Sequence, residues 1–170
     1  MDTRASSLDL GDLGLPVGSD RQIRETLSPV EAGEFRRSVN GRLVALVDPA
    51  FRKYRISLSG SDLHPPALAG IWPGRELSVV PVSVLTQRLA GATTINLERP
   101  TRADLVSVRT DTNAPVPVLS VVGRTVTLGA YTGAAWLRYR PVLECLVTSW
   151  SADEDEAAAA SSWSLELEEV

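Results

Sequence analysis

The chain has 170 residues, enough for one domain with a substantial core, and 44% of them are hydrophobic, which excludes wholesale disorder. The formal net charge of −4 argues against nucleic acid as a specific partner, and the single cysteine, Cys145, excludes an internal disulfide. No apolar run approaches the length of a membrane span, and the amino terminus lacks an apolar signal region. We therefore expect a soluble protein made in a cytoplasm, with no membrane partner.

Residues 1–27 differ in composition from the rest of the chain. They mix glycine and acidic residues with isolated apolar residues and follow neither a helical nor a strand period. One interpretation is a floppy terminus. We favour an extended N-terminal arm that docks on a neighbouring molecule, because a disordered tail usually has fewer apolar residues. The docking residues would be Leu8, Leu10, Leu13, Leu15 and Val17.

A short helix is predicted at the start of a β-domain that spans residues 28–170. Ser28 is a good capping residue, Pro29 suits the first helical position, and Glu31 completes a capping box. An Asn-Gly pair at residues 40 and 41 would end the helix. One side of this helix would carry Val30, Phe35 and Val39.

The remainder of the chain is predicted to form short strands. Tyr54, Ile56 and Leu58 alternate with polar residues, which is the pattern of a strand with one buried face. Many such runs separated by Pro and Gly indicate an antiparallel β-sandwich or β-barrel. The predicted strands are 43–47, 52–59, 76–82, 93–97, 105–109, 116–122, 125–128, 135–139, 142–150 and 163–169.

The connection at residues 64–74 is unusually apolar for a loop and contains three prolines, which stiffen it. Trp72 within it has two possible placements. It either plugs the open end of a barrel or projects towards a partner. We expect the plug, because burial of an aromatic side chain stabilises a fold more than its exposure does.

Charge is unevenly distributed along the chain. Residues 36–55 carry six basic side chains and one acid, whereas residues 151–170 carry seven acids and no base. These segments form either two solvated faces or a contact within the fold or between subunits. The acidic run at residues 153–156, followed by four alanines, is expected to be a solvated connection or short surface helix, or alternatively a loop that touches the next subunit.

The sequence contains no pattern of catalytic, cofactor-binding or metal-binding residues. His64 is the only histidine, which excludes a multi-histidine metal site. Cys145 lies within a predicted strand, where an inert buried thiol is expected. No nucleophile elbow, Walker loop or dinucleotide-binding motif occurs. We therefore expect neither an enzyme nor a cofactor.

Several motifs within residues 25–170 are shared with one known family. They are Arg36-Arg37-Ser38-Val39-Asn40-Gly41-Arg42-Leu43-Val44, Phe51-Arg52-Lys53-Tyr54-Arg55, Ser59-Gly60-Ser61-Asp62, Pro65-Pro66-Ala67-Leu68, Ile71-Trp72-Pro73-Gly74, Tyr139-Arg140-Pro141 and Ser162-Trp163-Ser164-Leu165-Glu166-Leu167-Glu168-Glu169-Val170. In these motifs the chain resembles a small structural tail protein of long-tailed, siphovirus-type bacteriophages. It departs from the family at Ala157–Ala160, where members often have tryptophan and glycine.

The resemblance implies a structural protein of the virion tail, assembled in the host cytoplasm and without catalytic residues. Within the tail it points to the distal tail protein of the baseplate or tail tip, whose ring joins the tail tube to the tip. It further implies a homo-oligomer, a hexamer or a trimer, in contact with neighbouring tail proteins.

Opposite charges at the two ends of the chain give a hypothesis for ring closure. On the predicted last strand the acids alternate with core residues and face outward. If they meet the basic segment of the next subunit, one repeated heterologous contact closes the ring. The candidate interface residues are Arg36, Arg37, Arg42, Trp72, Glu166 and Glu168.

Two other functions remain open. One is a different virion part, namely a tail tube, tail terminator or head decoration protein; a tube subunit usually has a long hairpin with a polar tip, and none is obvious in the sequence. The other is a carbohydrate-binding β-sandwich, which needs exposed aromatic residues. The chain has four Trp, three Tyr and two Phe, and most fall at positions predicted to face inward.

Overall fold

The computed structural model describes residues 7–20, 22–30, 33–46, 48, 51–157 and 159–170. Within these residues the chain is mainly antiparallel β-structure, as the sequence predicts, and one sheet curls into a half-barrel. A 3-10 turn lies at Ala103–Leu105. The strands are β1 (Ile23–Pro29), β2 (Glu34–Arg37), β3 (Leu43–Leu46), β4 (Tyr54–Asp62), β5 (Glu76–Val79), β6 (Leu85–Ala90), β7 (Thr94–Asn96), β8 (Val106–Thr110), β9 (Val118–Val122), β10 (Thr125–Leu128), β11 (Ala134–Tyr139), β12 (Leu143–Asp155) and β13 (Ala160–Glu169).

The largest sheet has five strands in the order β1-β4-β13-β12-β5. Its inner face is apolar because side chains alternate between the two sides of each strand, and the large apolar residues occupy every second position. Ile56 and Leu58 of β4 are buried, as the alternation predicts. The same holds for β13, whose buried apolar residues are Trp163, Leu165 and Leu167. Cys145 of β12 lies in the same cluster.

Residues 7–20 cover part of this inner face. Leu8, Leu10 and Leu13 are buried in the core of their own chain, together with Ile71 from the long loop. Asp9 fixes the segment by a two-way backbone bridge to Val80, with N···O distances of 3.2 and 2.8 Å. These leucines are therefore not offered to a neighbour, because the sheet in their own chain needs the cover. Of the predicted docking residues, Leu15 packs partly against the same core and Val17 is exposed.

A second apolar core lies in the segment inserted between β5 and β12. Two three-stranded sheets, in the orders β7-β10-β9 and β6-β11-β8, enclose it. Its buried residues come from strands of both sheets. The two sheets pack their apolar faces against each other, so the segment forms a small sandwich of its own. The buried residues include Leu89, Ile95, Val108, Val126, Leu128 and Leu137.

Buried polar contacts join the two cores. The Arg99 guanidinium pairs with the Glu169 carboxylate of β13, and their side chains are only 19% and 9% exposed. The same carboxylate accepts a hydrogen bond from the backbone N–H of Tyr54 at 2.9 Å. Nearby, Arg140 donates to the carbonyl oxygens of Pro81 and Val80 at 2.6 and 3.1 Å. Arg99 thus ties the inserted segment to the five-stranded sheet, and Arg140 joins the two ends of the inserted segment to each other.

The helix predicted from Ser28 is not found, and strands occupy its described positions. Ser28 and Pro29 end β1, which is tolerated because β1 is an edge strand and the missing N–H of proline breaks no ladder. Strand β1 also crosses the boundary at residue 27 that the sequence suggests between arm and domain. Gly41, with a φ of 78°, forms the turn of a β2–β3 hairpin instead of a helix end. Glu31 lies outside the described residues.

Strands β12 and β13 form a long hairpin, which is not obvious in the sequence. Both strands run past the predicted limits, so that Asp153 to Asp155 end β12 and are not a loop or helix. Strand β5 pairs with β12 only from Leu143 to Leu146. The outer edge of β12 therefore has no neighbouring strand from residue 148 to residue 155 among the described residues.

Substitution of Gly60 by Ala is expected to lower the free energy of unfolding by about 1–3 kcal/mol, the usual effect of overpacking a core. A Cβ atom at Gly60 would lie 2.6 Å from Cε2 of Trp163, which packs across it from β13. Urea denaturation measures the change. Ser59→Ala, at an exposed neighbouring position, is the matched control and should change stability by less than about 0.5 kcal/mol. Equal stability of both variants would contradict this packing.

Substitution of Arg99 by Ala should destabilise the fold by about 1–3 kcal/mol, because it leaves the buried carboxylate of Glu169 without its charged partner. The control is Arg55→Ala, which removes the exposed Arg55–Glu168 pair and should reduce stability by about 1 kcal/mol or less. Chemical denaturation of both variants tests the comparison. A larger loss in Arg55→Ala than in Arg99→Ala would refute it.

Candidate functional site

The β2–β3 hairpin stands apart from both cores. Its strands pair only with each other, from Glu34 opposite Leu46 to Arg37 opposite Leu43. All of residues 33–46 are exposed, and none belongs to either apolar cluster. The hairpin nevertheless carries large apolar side chains, with Phe35 65% exposed. The others are Val39, Leu43, Val44 and Leu46.

Three of the predicted interface residues lie together on this hairpin. Arg36 forms an ion pair of 2.8 Å with Glu34 of the same strand. Arg37 donates a hydrogen bond of 3.0 Å to the carbonyl oxygen of Gly41 in the turn. Arg42 follows that turn and is exposed. The hairpin therefore presents apolar and cationic groups on one small, protruding element.

A cavity of about 440 Å³ lies at the base of the hairpin. Pro29, Phe35, Phe51 and Tyr54 line it together with Arg99, whose guanidinium carbon is 5.4 Å from the centre of the Tyr54 ring. Burial is the main cause that raises the pKa of the Tyr54 phenol, which therefore stays neutral at physiological pH. The hydrogen bond to Glu169 raises the pKa of Arg99, which is therefore a permanent cation. The cavity suits an apolar or aromatic group.

Glu166 and Glu168 lie on β13 and have partners within their own sheet. The carboxylate of Glu166 accepts a hydrogen bond of 2.6 Å from the hydroxyl of Ser57. The carboxylate of Glu168 pairs with Arg55 at 2.9 Å. The structure does not bring either acid to the hairpin arginines of the same chain. A contact with the arginines of another subunit stays a prediction, and it would compete with these bonds.

Trp72 does not plug the fold, contrary to our expectation. Its side chain is 75% exposed, whereas the preceding residue, Ile71, is buried in the first core. The indole N–H of Trp150 donates a hydrogen bond of 2.8 Å to the carbonyl oxygen of Ile71. Because Ile71 takes the inward position and its backbone is fixed, the adjacent tryptophan faces solvent and projects as the alternative placement requires.

His64 and Cys145 have different surroundings. Cys145 is fully buried, and this burial is the main cause that raises the pKa of its thiol to about 12. His64 lies in an open surface cleft with Glu154, Asp155 and Glu156. A thiol so protonated is not a nucleophile at neutral pH. No group of three or more possible metal ligands occurs in the described part of the chain.

The structure shows one more exposed surface, which the sequence did not predict. Trp136 and Arg138 of β11 face outward from the β6-β11-β8 sheet, beside Arg88 of β6 and Arg109 of β8. We call these four residues the arginine face. The only sequence signal was the alternation of exposed Trp136 and Arg138 with buried neighbours, and it cannot show which residues lie opposite on other strands.

Comparisons of the chain with protein families, with curated proteins and with solved structures found no match. None of the described helical segments is long and apolar enough to cross a membrane.

The native protein is expected to resist thiol alkylation. At pH 8 iodoacetamide should leave Cys145 unmodified, because burial keeps its thiol protonated and covered, while the protein unfolded in guanidinium should take up one label. Mass spectrometry of the intact protein gives the number of labels. Rapid labelling of the folded protein would show that the first core opens.

Proposed function

We propose that the protein is a structural subunit of a bacteriophage tail that assembles with copies of itself through the β2–β3 hairpin. Within the tail we favour a distal tail subunit, which forms a ring in the baseplate or tail tip. The resemblance in sequence supports the phage assignment. The exposed apolar hairpin is the observation that carries the assembly, because its apolar side chains need a partner and none of the described residues of its own chain covers them.

The hairpin needs a partner because of its own low stability. An isolated two-stranded hairpin is at best marginally stable in water, and it becomes stable when a face packs on another surface. Full burial of a side chain such as Phe35 or Leu46 stabilises by about 1.5–3 kcal/mol. Several such residues lie on this one element. Their burial in a neighbouring subunit would fix the hairpin and join the two molecules.

The arginines suit the rim of such a contact. Arginine is enriched at protein interfaces because its planar group makes paired hydrogen bonds and stacks on aromatic rings. Arg36 lies directly opposite Val44 and Arg37 directly opposite Leu43, so these arginines are next to apolar residues of the hairpin. They would set the orientation of the neighbouring subunit, while the apolar side chains provide most of the affinity.

The long β12–β13 hairpin favours a second candidate, a tail tube subunit. It has the polar tip that such subunits usually carry, with Asp153 to Asp155 at the end of β12. Its open edge from residue 148 to residue 155 exposes backbone N–H and C=O groups, which can pair with a strand of another molecule. Both candidates are self-assembling virion proteins.

The double variant Phe35→Ser/Leu46→Ser should abolish assembly and leave the monomer folded, because both side chains are exposed and contribute nothing to the two cores. Sedimentation velocity at high protein concentration and negative-stain electron microscopy detect rings or other oligomers. Leu119→Ser/Val122→Ser is the matched control, because it removes two equally exposed apolar residues from β9.

Loss of oligomers in the hairpin variant, with the control unchanged, is the expected result. Oligomers that persist in the hairpin variant would show that the hairpin is not the contact. A wild-type protein that stays monomeric at all concentrations, and also on purified tail components, would refute the proposed function.

A further inference from the structure

The arginine face is built from residues that are far apart in the sequence. Trp136 lies directly opposite Arg88 on one side and Arg109 on the other. Directly opposite residues of antiparallel strands share a face, and their Cβ atoms are about 5 Å apart. Arg138 is two residues beyond Trp136 on the same strand and shares this face. All four side chains are exposed, and together they form a cationic surface around an indole ring.

No acid occupies an outward position of these three strands, all of whose residues are described; Asp111 lies in the turn that follows β8. The remaining outward positions of the three strands are occupied by Thr86, Ala90, Ser107 and Ala134. The side chains of Arg88 and Arg138 form no ion pair with another described residue, and Arg109 donates only to Asn113. The arginine face therefore holds three positive charges available to a partner.

The complementary surface occurs on the same chain. Residues 153–156, which we call the acidic tip, end β12 and begin its turn, and they carry four carboxylates. Asp153, Glu154 and Glu156 are exposed and form no ion pair with another described residue. Exposed Ala157 and Ala159 follow the tip and are small enough to let an indole ring approach the backbone.

We propose that the arginine face of one subunit binds the acidic tip of a second copy of this chain. The arginines would pair with the carboxylates, and Trp136 would cover the alanines beside them. The contact joins two different surfaces, so its repetition produces a closed ring or a helical stack. This inference rests on the proposed function and names a partner surface for it.

The arginine face fits the acidic tip better than the β2–β3 hairpin does. On the hairpin, Arg36 is already paired with Glu34, and Arg37 is bonded to the turn. Arg109 of the arginine face is bonded to its own turn in the same way as Arg37, so the difference between the two surfaces is the ion pair of Arg36. The arginine face carries three cations at neighbouring positions of one sheet, none of them paired with an acid among the described residues, and their fields add.

Charge exchange tests this contact. Arg88→Glu/Arg138→Glu and Asp153→Arg/Glu154→Arg should each weaken self-association of the full chain about tenfold or more, which is a typical coupling for close interfacial charge pairs. The combined quadruple variant restores opposite charges and should recover wild-type association to within about threefold. Arg24→Glu/Arg124→Glu, which reverses two exposed arginines outside the hairpin, the arginine face and the acidic tip, is the matched control and should leave association unchanged apart from a general charge effect.

Sedimentation velocity at low and physiological salt measures the association, and circular dichroism checks each fold. Double variants that associate as the wild type does, or a quadruple variant without recovery, would overturn the inference. So would a result in which Arg88→Glu/Arg138→Glu loses binding to a single-stranded oligonucleotide and keeps self-association, since the face would then bind nucleic acid.

The hairpin variant separates this inference from the proposed function. If Phe35→Ser/Leu46→Ser loses assembly while the charge variants keep it, the proposed function stands and the inference alone falls. If the wild type never associates, both fall.

Discussion

The inner face of the five-stranded sheet must be kept from water, and this requirement organises the molecule. Its apolar residues alternate along β4, β12 and β13, and one sheet cannot cover its own face. The cover comes from residues 7–20 and from Ile71, which are distant in sequence from the strands that they protect. Because the leucines near the amino terminus are used in this way, they are not available as a docking arm. The β2–β3 hairpin, Trp72, the arginine face and the acidic tip are among the surfaces that remain exposed.

The joint between the two cores lies next to the proposed assembly element. Arg99 and Tyr54 take part in both, since they surround the buried carboxylate of Glu169 and also line the cavity at the base of the hairpin. Removal of water from this cavity by a neighbouring subunit would strengthen the Arg99–Glu169 pair, because screening by solvent would fall. Assembly at the hairpin and cohesion of the two cores are therefore expected to reinforce each other.

The acidic residues near the carboxyl terminus have two different roles in the fold. Glu168 and Glu169 are neutralised within the chain by Arg55 and Arg99, so these carboxylates stabilise the monomer. Asp153, Glu154 and Glu156 form no ion pair with another described residue, so their charges remain exposed. Net charge along the sequence cannot distinguish these cases, because it does not show which strands become neighbours. The pairing of β13 with β4 places Glu168 opposite Arg55. Beyond residue 147 no neighbouring described strand covers the outer edge of β12, where Asp153 and Glu154 lie.

The sequence by itself determined the antiparallel β class and the inward faces of β4 and β13, because large apolar residues at every second position leave a strand only one way to bury them. It also determined the inert environment of Cys145. It did not determine the structure of residues 28–46, where capping residues and Asn-Gly fit both a helix end and a hairpin turn. Tertiary structure decided that residues 34–46 form a hairpin, that Leu8 is buried and that Trp72 is exposed. It also assembled the arginine face, since only strand register places Arg88 and Arg109 beside Trp136. Local patterns fix local structure, whereas register and burial depend on contacts between residues far apart in the chain.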